Sequence, residues 1–275
     1  MLHTTIVITG AGGVLCSLFA KALAADGHKI ALLDINEAAV SAVAEEIGAA
    51  GGTARAYACS VLEKEQLAAV REAVRRDLGP CGILINGAGG NHPSCTTARE
   101  RYEPGDEDEG DLLTFFNLDK KGFSFVFDLN ILGVMLPTQV FLPDIIKQPD
   151  GCVVNISSMN AYRPLTKIPA YSAAKAAVSN LTQWLAVHFA GQGVRVNAIA
   201  PGFFVTNQNR GMLFDAEGNH TARSAKILAA TPMGRFGEAE ELLGTLRWLL
   251  DPAVSGFVTG AVIPVDGGFS AYSGV

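Results

Sequence analysis

The sequence predicts a single α/β domain built on a doubly wound parallel sheet, and three observations lead to this prediction. Short apolar runs alternate along the whole chain with longer segments of helical periodicity. The runs are apolar at nearly every position, which is typical of parallel strands that are buried on both faces. The 275 residues are 49% hydrophobic, which is enough for one large core, and we find no linker or internal repeat.

Strands and long helices are expected in strict alternation. The expected strands lie at 4–9, 29–34, 54–60, 81–86, 152–158, 194–200 and 261–265. The expected helices lie at 14–26, 37–49, 63–78, 124–147, 169–191 and 238–250. Crossovers between parallel strands are right-handed, so this alternation places helices on both faces of a sheet of the Rossmann type, with about seven strands. We therefore treat residues 1–275 as one domain.

Two stretches do not fit the alternation. Residues 91 to about 121 hold Pro93, an acidic run and Pro104, and they are too many for an ordinary strand-to-helix loop. Residues 202 to about 233 follow the sixth strand without a strand of their own. Ligands of doubly wound sheets bind at the carboxyl ends of the strands. We therefore interpret the first stretch as an insertion near the site and the second as a substrate loop.

The net charge of −6 is concentrated in one place. Residues 100–111 carry seven acidic residues and one arginine, so they account for the whole excess. The rest of the chain is neutral in sum and shows no basic face, so we expect no nucleic-acid partner. We interpret the acidic run as a solvated flap, with a lid that closes on the substrate as the alternative.

Cysteine usage and hydropathy indicate a reduced, soluble protein. The five cysteines form no CxxC pair and are odd in number, which argues against a disulfide framework. No apolar run reaches the roughly 18 residues of a membrane span, and the first residues cannot supply a signal peptide. No cluster of histidine, cysteine and aspartate has metal-ligand spacing. We therefore expect a cytoplasmic protein with no membrane partner and no metal.

A glycine-rich turn, TGAGGVLC, joins the first strand to the first helix. Gly10 and Gly13 let the backbone turn tightly and approach a phosphate, and the helix that begins near Val14 points its amide donors there. Cys16 stands where such loops usually place their last glycine. Because that glycine serves helix packing rather than phosphate contact, a small side chain is tolerated there. The turn predicts a dinucleotide site, with a purely structural turn as the alternative.

Asp34 ends the second strand, 24 residues after Gly10, where a carboxylate accepts hydrogen bonds from an adenosine ribose. Ile35 and Asn36 follow it, so that no cation is present to receive a 2′-phosphate. This favours NAD over NADP. The alternative role for Asp34 is to cap the helix that starts near residue 37.

A second glycine turn, Asn86-Gly87-Ala88-Gly89, follows the fourth strand. We expect its backbone to pass close under the cofactor, because glycine allows such an approach. The alternative is an ordinary turn between a strand and a helix.

Ser158, Tyr171 and Lys175 form the most informative pattern. Tyr171 and Lys175 are four residues apart on a predicted helix, so the phenol and the ammonium lie on one face. Hydride transfer at a carbinol carbon needs a group that exchanges the hydroxyl proton near neutral pH, whereas free tyrosine titrates near about 10. A neighbouring lysine cation favours the phenolate and lowers that pKa. Ser158, at the end of the fifth strand, is placed to hydrogen-bond the reacting oxygen.

On these motifs the chain resembles the short-chain dehydrogenases/reductases over nearly its whole length. The resemblance implies an active-site tetrad of Asn130, Ser158, Tyr171 and Lys175. In that family the tyrosine is the acid/base, the lysine holds the nicotinamide ribose, the serine orients the substrate and the asparagine supports a water relay. The residues implied for NAD(H) are Thr9, Gly10, Gly12, Gly13, Val14, Leu15, Asp34, Ser60, Val61, Asn86, Gly87, Ala88, Gly89, Tyr171, Lys175, Pro201, Gly202, Phe204 and Thr206.

Two positions depart from the family pattern. Cys16 replaces a glycine, which affects helix packing, and Ser60 stands where the family has an aspartate beside the adenine. Neither change touches the proton chemistry, so an active enzyme is still expected. The alternative is an NAD-binding regulator or scaffold without catalysis.

Within the family, the stretches FNLDKKGFSFVFDLN, SSMNAYRPLTKIPAYSAAK and APGFFVTNQNR most resemble those of the D-mannonate oxidoreductases, also called fructuronate reductases. This resemblance implies reduction of the ketone of D-fructuronate by NADH. A sugar acid needs hydrogen-bond partners for its hydroxyls and a cation for its carboxylate. The candidates near the strand ends are Asn91, His92, Asn160, Arg163, Gln208 and Arg210. The alternative substrate is another polyol or keto-sugar acid, such as a gluconate.

The expected helices at 124–147 and 169–191 have apolar positions on more than one face. The family usually assembles as tetramers through the equivalent helices. We therefore expect a homo-oligomer, most simply a tetramer.

Overall fold

A parallel sheet of seven strands forms the centre of the part of the chain that the computed structural model describes, residues 4–206 and 210–274. The strands are β1 (Thr5–Thr9), β2 (Lys29–Asp34), β3 (Thr53–Ala58), β4 (Cys81–Asn86), β5 (Cys152–Ile156), β6 (Arg195–Pro201) and β7 (Val262–Val265). Their order across the sheet is β3-β2-β1-β4-β5-β6-β7, and every neighbouring pair is parallel. The predicted fold, a doubly wound domain of the Rossmann type, is confirmed.

Helices connect the strands and cover both faces of the sheet. They are α1 (Val14–Ala25), α2 (Glu37–Ala49), α3 (Lys64–Asp77), α4 (Lys120–Phe127), α5 (Gly133–Ile145), α6 (Pro169–Phe189), α7 (Arg210–Leu213), α8 (Ala222–Ala229), α9 (Glu241–Leu250) and α10 (Pro252–Ser255). A π-helical turn, Asp128–Leu132, joins α4 to α5. The predicted helix at 124–147 begins earlier, at Lys120, because the Asp119 carboxylate accepts the amide of Gly122 at 3.0 Å and caps it.

The helical stretch Lys120–Ile145 is long and apolar enough to cross a membrane by length and composition alone. Half of its apolar window is buried inside the protein. Phe141 and Ile145, for example, are fully buried in a cluster that includes strand side chains. The stretch is therefore accounted for as a core helix of the domain.

Alternate side chains of the strands pack against opposite helix layers. Ile6 and Ile8 of β1 lie in the cluster formed with α1, α2 and α9, whereas Val7 lies in the cluster formed with α3, α5 and α6. All three are fully buried. Successive strand side chains point to opposite faces, so this arrangement is what near-continuous apolar runs predict for a sheet that is covered on both sides.

The acidic run at 100–111 folds in part around Arg99, which directly precedes it. Asp106 is 5% exposed, its carboxylate pairs with the Arg99 guanidinium, and it accepts the Glu103 amide at 3.1 Å. The Glu103 carboxylate itself lies 3.2 Å from Arg99 Nε. The interpretation of the run as a solvated flap is therefore wrong at Asp106, because one arginine gathers several of the acidic side chains into a local fold.

Candidate active site

The candidate site lies at the carboxyl ends of the central strands. β1 pairs with β2 on one side and with β4 on the other, so the direction of winding changes between β1 and β4. Such a switch point leaves a crevice outside the strand ends, because the helices that follow the two strands lie on opposite faces. The segments that follow β1, β4 and β5 meet at this edge.

The loop after β1 leaves its backbone open to a ligand. Gly10 has a φ of 66°, and a Cβ atom there would lie 2.8 Å from Ala88 N, so only glycine fits. Gly13 precedes α1 and gives the helix no side-chain cap. The amide donors of the first turn, which includes Val14 and Leu15, therefore have no capping acceptor. Together with the partial positive charge of a helix N-terminus, this position suits a pyrophosphate.

Cys16 fills the space beneath the turn that follows β4. It is 5% exposed, and a Cβ atom placed on Gly87 would overlap its Sγ atom. The side chain at position 16, where a glycine is usual, thus occupies the space that is left free by the absence of a side chain at position 87. Burial raises the pKa of the Cys16 thiol to about 12, so the thiol stays protonated and packs as a small apolar group.

The Asp34 carboxylate links the end of β2 to the glycine loop. Its Oδ2 accepts the amide of Gly12 at 3.0 Å, and its Oδ1 accepts the amide of Asn36 at 2.9 Å. The residue that caps α2 is Asn36, whose side chain accepts the amide of Ala39 at 3.1 Å. Asp34 therefore does not cap the helix, and each of its oxygens keeps a lone pair for a ribose hydroxyl.

The Asn86 side chain belongs to a buried polar network, not to the crevice. Its Nδ2 atom donates to Thr138 Oγ1 at 3.0 Å and to Asn155 Oδ1 at 2.9 Å. Asn155 Nδ2 in turn donates to Thr182 Oγ1 at 2.9 Å, so the network ties β4 and β5 to α5 and α6. The donors of the Asn86 side chain are used inside the fold, so the prediction that this turn passes close under the cofactor concerns its backbone. What the turn presents to the crevice is the backbone of residues 87–89.

Thr9 holds this second turn in place. Its Oγ1 atom accepts the amides of Gly87 at 3.1 Å and Ala88 at 3.3 Å. Thr9 is among the residues implied for NAD(H); it is fully buried, and its side chain joins the two glycine turns to each other.

The segment after β3 is ordered by its own hydrogen bonds. Ser60 N donates to Gln66 Oε1 at 3.0 Å, and Ser60 Oγ accepts the amide of Leu62 at 3.2 Å. Val61 is 7% exposed and packs against Gly133. Ser60 thus supports the turn in which an adenine contact was expected.

The segment after β6 carries the last group of expected cofactor contacts. Pro201 ends the strand, and Gly202 lies so close to Asp266 that a Cβ atom would approach Asp266 Cα to 2.6 Å. Phe204 is buried, and Thr206 is half-buried. Gly202 is therefore required for close packing of this segment against the residues that follow β7.

Asn130 lies on the π-helical turn between α4 and α5 and is fully buried. Its Nδ2 atom donates to the carbonyls of Gly90 at 2.8 Å and Val126 at 2.7 Å, and its Oδ1 atom accepts the amide of Gly90 at 3.3 Å. A Cβ atom on Gly89 would lie 2.7 Å from Asn130 Oδ1 and 3.0 Å from Lys175 Nζ. The three groups therefore converge, and the π-helical turn is what directs Asn130 to them.

Lys175 is a buried lysine in the middle of the site. It is 4% exposed, and its Nζ atom donates to the carbonyl of Ile156 at 2.8 Å. Burial lowers the pKa of Lys175 to about 8, because the ammonium has lost most of its water. The Nζ atom lies 5.6 Å from the centre of the Tyr171 ring, as the spacing on α6 predicts.

The Tyr171 phenol is not acidified as the sequence predicts. Burial raises its pKa above the ordinary value, and the hydrogen bond with the Ser158 side chain only partly opposes this rise. The lowering predicted from Lys175 is outweighed by burial, because the Lys175 ammonium lies over the ring and donates to Ile156. The phenol is therefore protonated at neutral pH, and it can donate a proton.

Ser158 and Asn160 lie side by side after β5. Ser158 Oγ accepts the amide of Asn160 at 3.2 Å, and Ser158 is 8% exposed. Asn160 is 5% exposed, and its Oδ1 atom is buried without a hydrogen-bond partner. Buried acceptors are normally paired, so Asn160 Oδ1 is placed to receive a ligand hydroxyl.

Asn91 and His92 shape the start of the insertion. Asn91 Nδ2 donates to Thr96 Oγ1 at 2.9 Å. His92 Nδ1 accepts the amide of Ser94 at 3.3 Å and lies 2.8 Å from Ser94 Oγ, so His92 caps a short 3₁₀ turn. Both side chains thus have local partners in the segment that borders the site.

The two arginines expected to bind a carboxylate are engaged elsewhere. Arg163 Nε donates to the carbonyl of Ser270 at 3.0 Å. The Arg210 guanidinium lies over the ring of Phe214, 5.5 Å from its centre. Gln208, the remaining substrate candidate, lies outside the described residues.

Several groups that hold the site were missed by the sequence analysis. The carbonyls of Gly90 and Ile156 hold Asn130 and Lys175, and main-chain groups leave no mark in the sequence. Ser157 Oγ bonds to the Lys175 carbonyl at 3.2 Å and to Ser179 Oγ at 2.7 Å. Lys175 and Ser179 are four residues apart on α6, and this spacing is the signal that could have shown that Ser179 lies beside Lys175.

Comparison with known proteins places the chain in a family. The family model described as short chain dehydrogenase matches residues 4–215. An uncharacterised oxidoreductase of Haemophilus influenzae is 60% identical over 270 residues, which cover 98% of this chain and 94% of that protein. The uncharacterised oxidoreductase UxuB of Bacillus subtilis is 52% identical over 271 residues, which cover 98% of this chain and 96% of that protein.

A solved structure gives the same result. It is that of a provisionally assigned D-mannonate oxidoreductase from Haemophilus influenza with bound NAD, and it is 58% identical to this chain. The TM-score is 0.96, and the match covers 100% of this chain and 98% of the other. The chain therefore belongs to the short chain dehydrogenase family.

Proposed function

We propose that the chain is an NAD-dependent oxidoreductase that interconverts D-mannonate and D-fructuronate by hydride transfer at the carbinol carbon. The observation that carries this proposal is the convergence of Ser158, Tyr171 and Lys175 beside a glycine loop that suits a pyrophosphate. The NAD and the provisional D-mannonate oxidoreductase assignment of the 58% identical structure support the cofactor and the substrate.

The residues of the crevice fit the adenosine diphosphate part of NAD, at its pyrophosphate and at its ribose. The uncapped amides of the first turn of α1 suit the pyrophosphate, and Gly10 is required because its backbone approaches the second turn. The Asp34 carboxylate suits the two ribose hydroxyls and repels a 2′-phosphate. When bound, NAD accepts the hydride in oxidation and, as NADH, gives it in reduction.

Tyr171 exchanges the proton with the reacting oxygen. In ketone reduction the protonated phenol gives its proton to the carbonyl oxygen as that oxygen becomes a hydroxyl. The Ser158 hydroxyl bonds to the Tyr171 side chain and can donate to the same oxygen. Once the proton has left, the Lys175 ammonium stabilises the phenolate electrostatically. The second lone pair of Asn130 Oδ1, close to Lys175, is available to a proton relay.

The sugar hydroxyls are assigned to the groups that border the reacting centre. Asn160 Oδ1 is a buried acceptor without a partner, and we assign it to a substrate hydroxyl. Asn91 and His92 lie at the start of the insertion, and the substrate loop predicted after β6 carries α8. An ion pair between Glu100 and Lys226, with oxygens 2.9 and 3.0 Å from the ammonium, links the insertion to this loop.

The decisive experiment compares substrates and removes the Tyr171 hydroxyl. NADH consumption is followed with D-fructuronate, D-tagaturonate and 5-keto-D-gluconate side by side, and we expect the highest kcat/KM for D-fructuronate. Tyr171→Phe should lower kcat by about 10²- to 10⁴-fold, the usual contribution of general acid catalysis, and leave the Kd for NADH unchanged.

Tyr57→Phe is the matched control, because that hydroxyl donates to Asp77 at the end of α3 and lies outside the site. It should retain normal turnover. If Tyr171→Phe retains more than about a tenth of the wild-type kcat, the role of Tyr171 is refuted. A higher kcat/KM for 5-keto-D-gluconate would replace the substrate but keep the chemistry.

We also propose a homotetramer in the cytoplasm. An apolar groove of 580 Å³ lies between α5 and α6, and Trp184, which lines it, is 57% exposed. Exposed apolar side chains in such a patch are typical of a subunit interface. The five cysteines are unpaired and buried, which suits a reducing compartment.

A further inference from the structure

A pocket of 230 Å³ lies between the insertion, the approach to α6 and the helix α8. We call it the basic pocket. Its walls include Glu100, Lys167, Phe203, Arg223, Lys226 and Phe269. The Phe203 and Phe269 rings meet edge to face, with their centres 5.3 Å apart, and give the pocket an apolar side.

The basic pocket carries more positive than negative charge. Lys167, Arg223 and Lys226 stand against one carboxylate, that of Glu100, among the described residues that line it. Glu100 is already paired with Lys226. Within residues 4–206 and 210–274, neither the Lys167 ammonium nor the Arg223 guanidinium lies close enough to a carboxylate to form an ion pair, and Lys167 adds only from a longer distance to the lowering of the Glu100 pKa by Lys226. In a chain of net charge −6, two cations left in one concavity favour an anionic ligand.

The backbone of Lys167 is strained in a way that fixes its position. Its φ is 74°, a left-handed conformation that a residue other than glycine adopts at a cost of about 1–3 kcal/mol. The Lys167 carbonyl accepts the amide of Thr97 at 2.8 Å, so the strained residue also ties the insertion to the approach to α6. Such strain persists where the surrounding structure requires it, and it is concentrated at functional sites.

The basic pocket is close to the reacting centre along the chain. Lys167 precedes Pro169, the first residue of α6, and Tyr171 lies in the first turn of that helix. Phe203 follows the carboxyl end of β6, which pairs with β5, the strand that leads to Ser158. The pocket and the proton-transfer groups therefore share one edge of the sheet.

We propose that Lys167 and Arg223 bind the carboxylate of the sugar-acid substrate, an inference that rests on the proposed function. The ketone carbon of D-fructuronate is separated from its carboxylate by the rest of the carbon chain, so the anion must be held outside the reacting centre. Guanidinium and ammonium groups make strong, charge-assisted hydrogen bonds to carboxylates. The ion pair between Lys226 and Glu100 closes the outer wall. This assignment replaces Arg163 and Arg210, which have other partners.

The test compares D-fructuronate with D-fructose, which has a hydroxymethyl group in place of the carboxylate. The wild-type protein should prefer D-fructuronate in kcat/KM. Lys167→Gln and Arg223→Gln should each raise the KM for D-fructuronate by about 10- to 100-fold, the effect of one charge-assisted hydrogen bond. Their kcat/KM for D-fructose and their Kd for NADH should stay within about twofold of wild type, which also shows that the variants fold.

Two further variants make the result specific. Arg101→Gln removes an exposed arginine beside Glu100 that faces a different pocket, and it should behave as wild type. Arg163→Gln tests the rival carboxylate site. A selective rise in KM with Arg163→Gln, and none with Lys167→Gln or Arg223→Gln, would overturn the assignment. So would an equal loss on D-fructose and D-fructuronate.

The failure of this inference can be told apart from the failure of the proposed function. If the wild-type protein binds NADH but reduces no keto-sugar acid, the proposed function falls and the inference falls with it. If the wild-type protein reduces D-fructuronate and the two variants keep its preference over D-fructose, only the assignment of the basic pocket is refuted.

Discussion

The contact between Cys16 and Gly87 makes a quantitative prediction about the glycine loop. Gly87 is not among the residues with positive φ, so alanine at this position is strained only by its neighbours. Its Cβ atom would overlap Cys16 Sγ and would lie 2.9 Å from the Thr9 carbonyl oxygen. Overpacking of a tight core costs about 1–3 kcal/mol, and we expect Gly87→Ala to lower the free energy of unfolding by about 3 kcal/mol.

Cys16→Ala should relieve most of this cost. Without the sulfur, the added methyl group lies 3.7 Å from the Cβ atom of residue 16, an ordinary contact, and only the Thr9 carbonyl remains close. Cys16→Ala alone loses the buried sulfur but gains helix propensity, since alanine is the best helix former. Its net effect should be to lower the free energy of unfolding by about 1 kcal/mol. In its background Gly87→Ala should cost about 1 kcal/mol instead of about 3, a coupling of about 2 kcal/mol.

Urea unfolding of the wild type, the two single variants and the double variant measures this coupling. Cys152→Ala removes a different buried sulfur, on β5, and combined with Gly87→Ala it should give additive losses. If Gly87→Ala does not fold alone, recovery of folded protein in the double variant provides the same comparison. Additive effects within about 0.5 kcal/mol for the Cys16 and Gly87 pair would refute the packing argument.

Two further predictions concern a titration and a buried ion pair. The pKa of Lys175 is lowered to about 8, so its ammonium is present below that pH and lost above it. The kcat/KM for ketone reduction should therefore fall as the pH rises past about 8. A rate profile that stays flat to about pH 10 would contradict the role of the Lys175 ammonium in stabilising the phenolate. Asp144 is 2% exposed and accepts a hydrogen bond from Arg71 Nε at 3.0 Å. Asp144→Ala leaves a partly buried guanidinium unpaired, so it should lower the free energy of unfolding, measured in urea, by about 2–4 kcal/mol. Glu72→Gln breaks an exposed pair with Arg75 and should lower it by less than about 0.5 kcal/mol.

The sheet and its crevice were predictable because their signals are local. Each strand is a short apolar run with a turn at its end, and the parallel order follows from the helical connections. The spacing of Tyr171 and Lys175 depends only on the helical period, and the structure places Lys175 Nζ over the Tyr171 ring as expected. Asp34 ends β2 in the sequence and in the structure.

What the sequence did not reveal depends on burial and on distant partners. The pKa of Tyr171 is raised because the phenol is buried, and a spacing of four residues says nothing about how much water surrounds it. The Asn86 amide joins a network with Thr138 and Asn155, which are more than fifty residues away along the chain. The pairing of Cys16 with Gly87 is likewise a contact between two turns that are far apart in sequence.

The grouping of charged residues is where the sequence pattern and the folded structure differ most. The acidic residues of 100–111 are contiguous in the sequence, yet in the structure Arg99 and Lys226 divide them between a local fold and a bridge to α8. The cations of the basic pocket are scattered, since Lys167 and Arg223 are 56 residues apart, and only folding brings them together. A search of the sequence for clustered charge finds the acidic run first. The excess of positive charge that suits a carboxylate is visible only once α6, α8 and the insertion meet at the edge of the sheet.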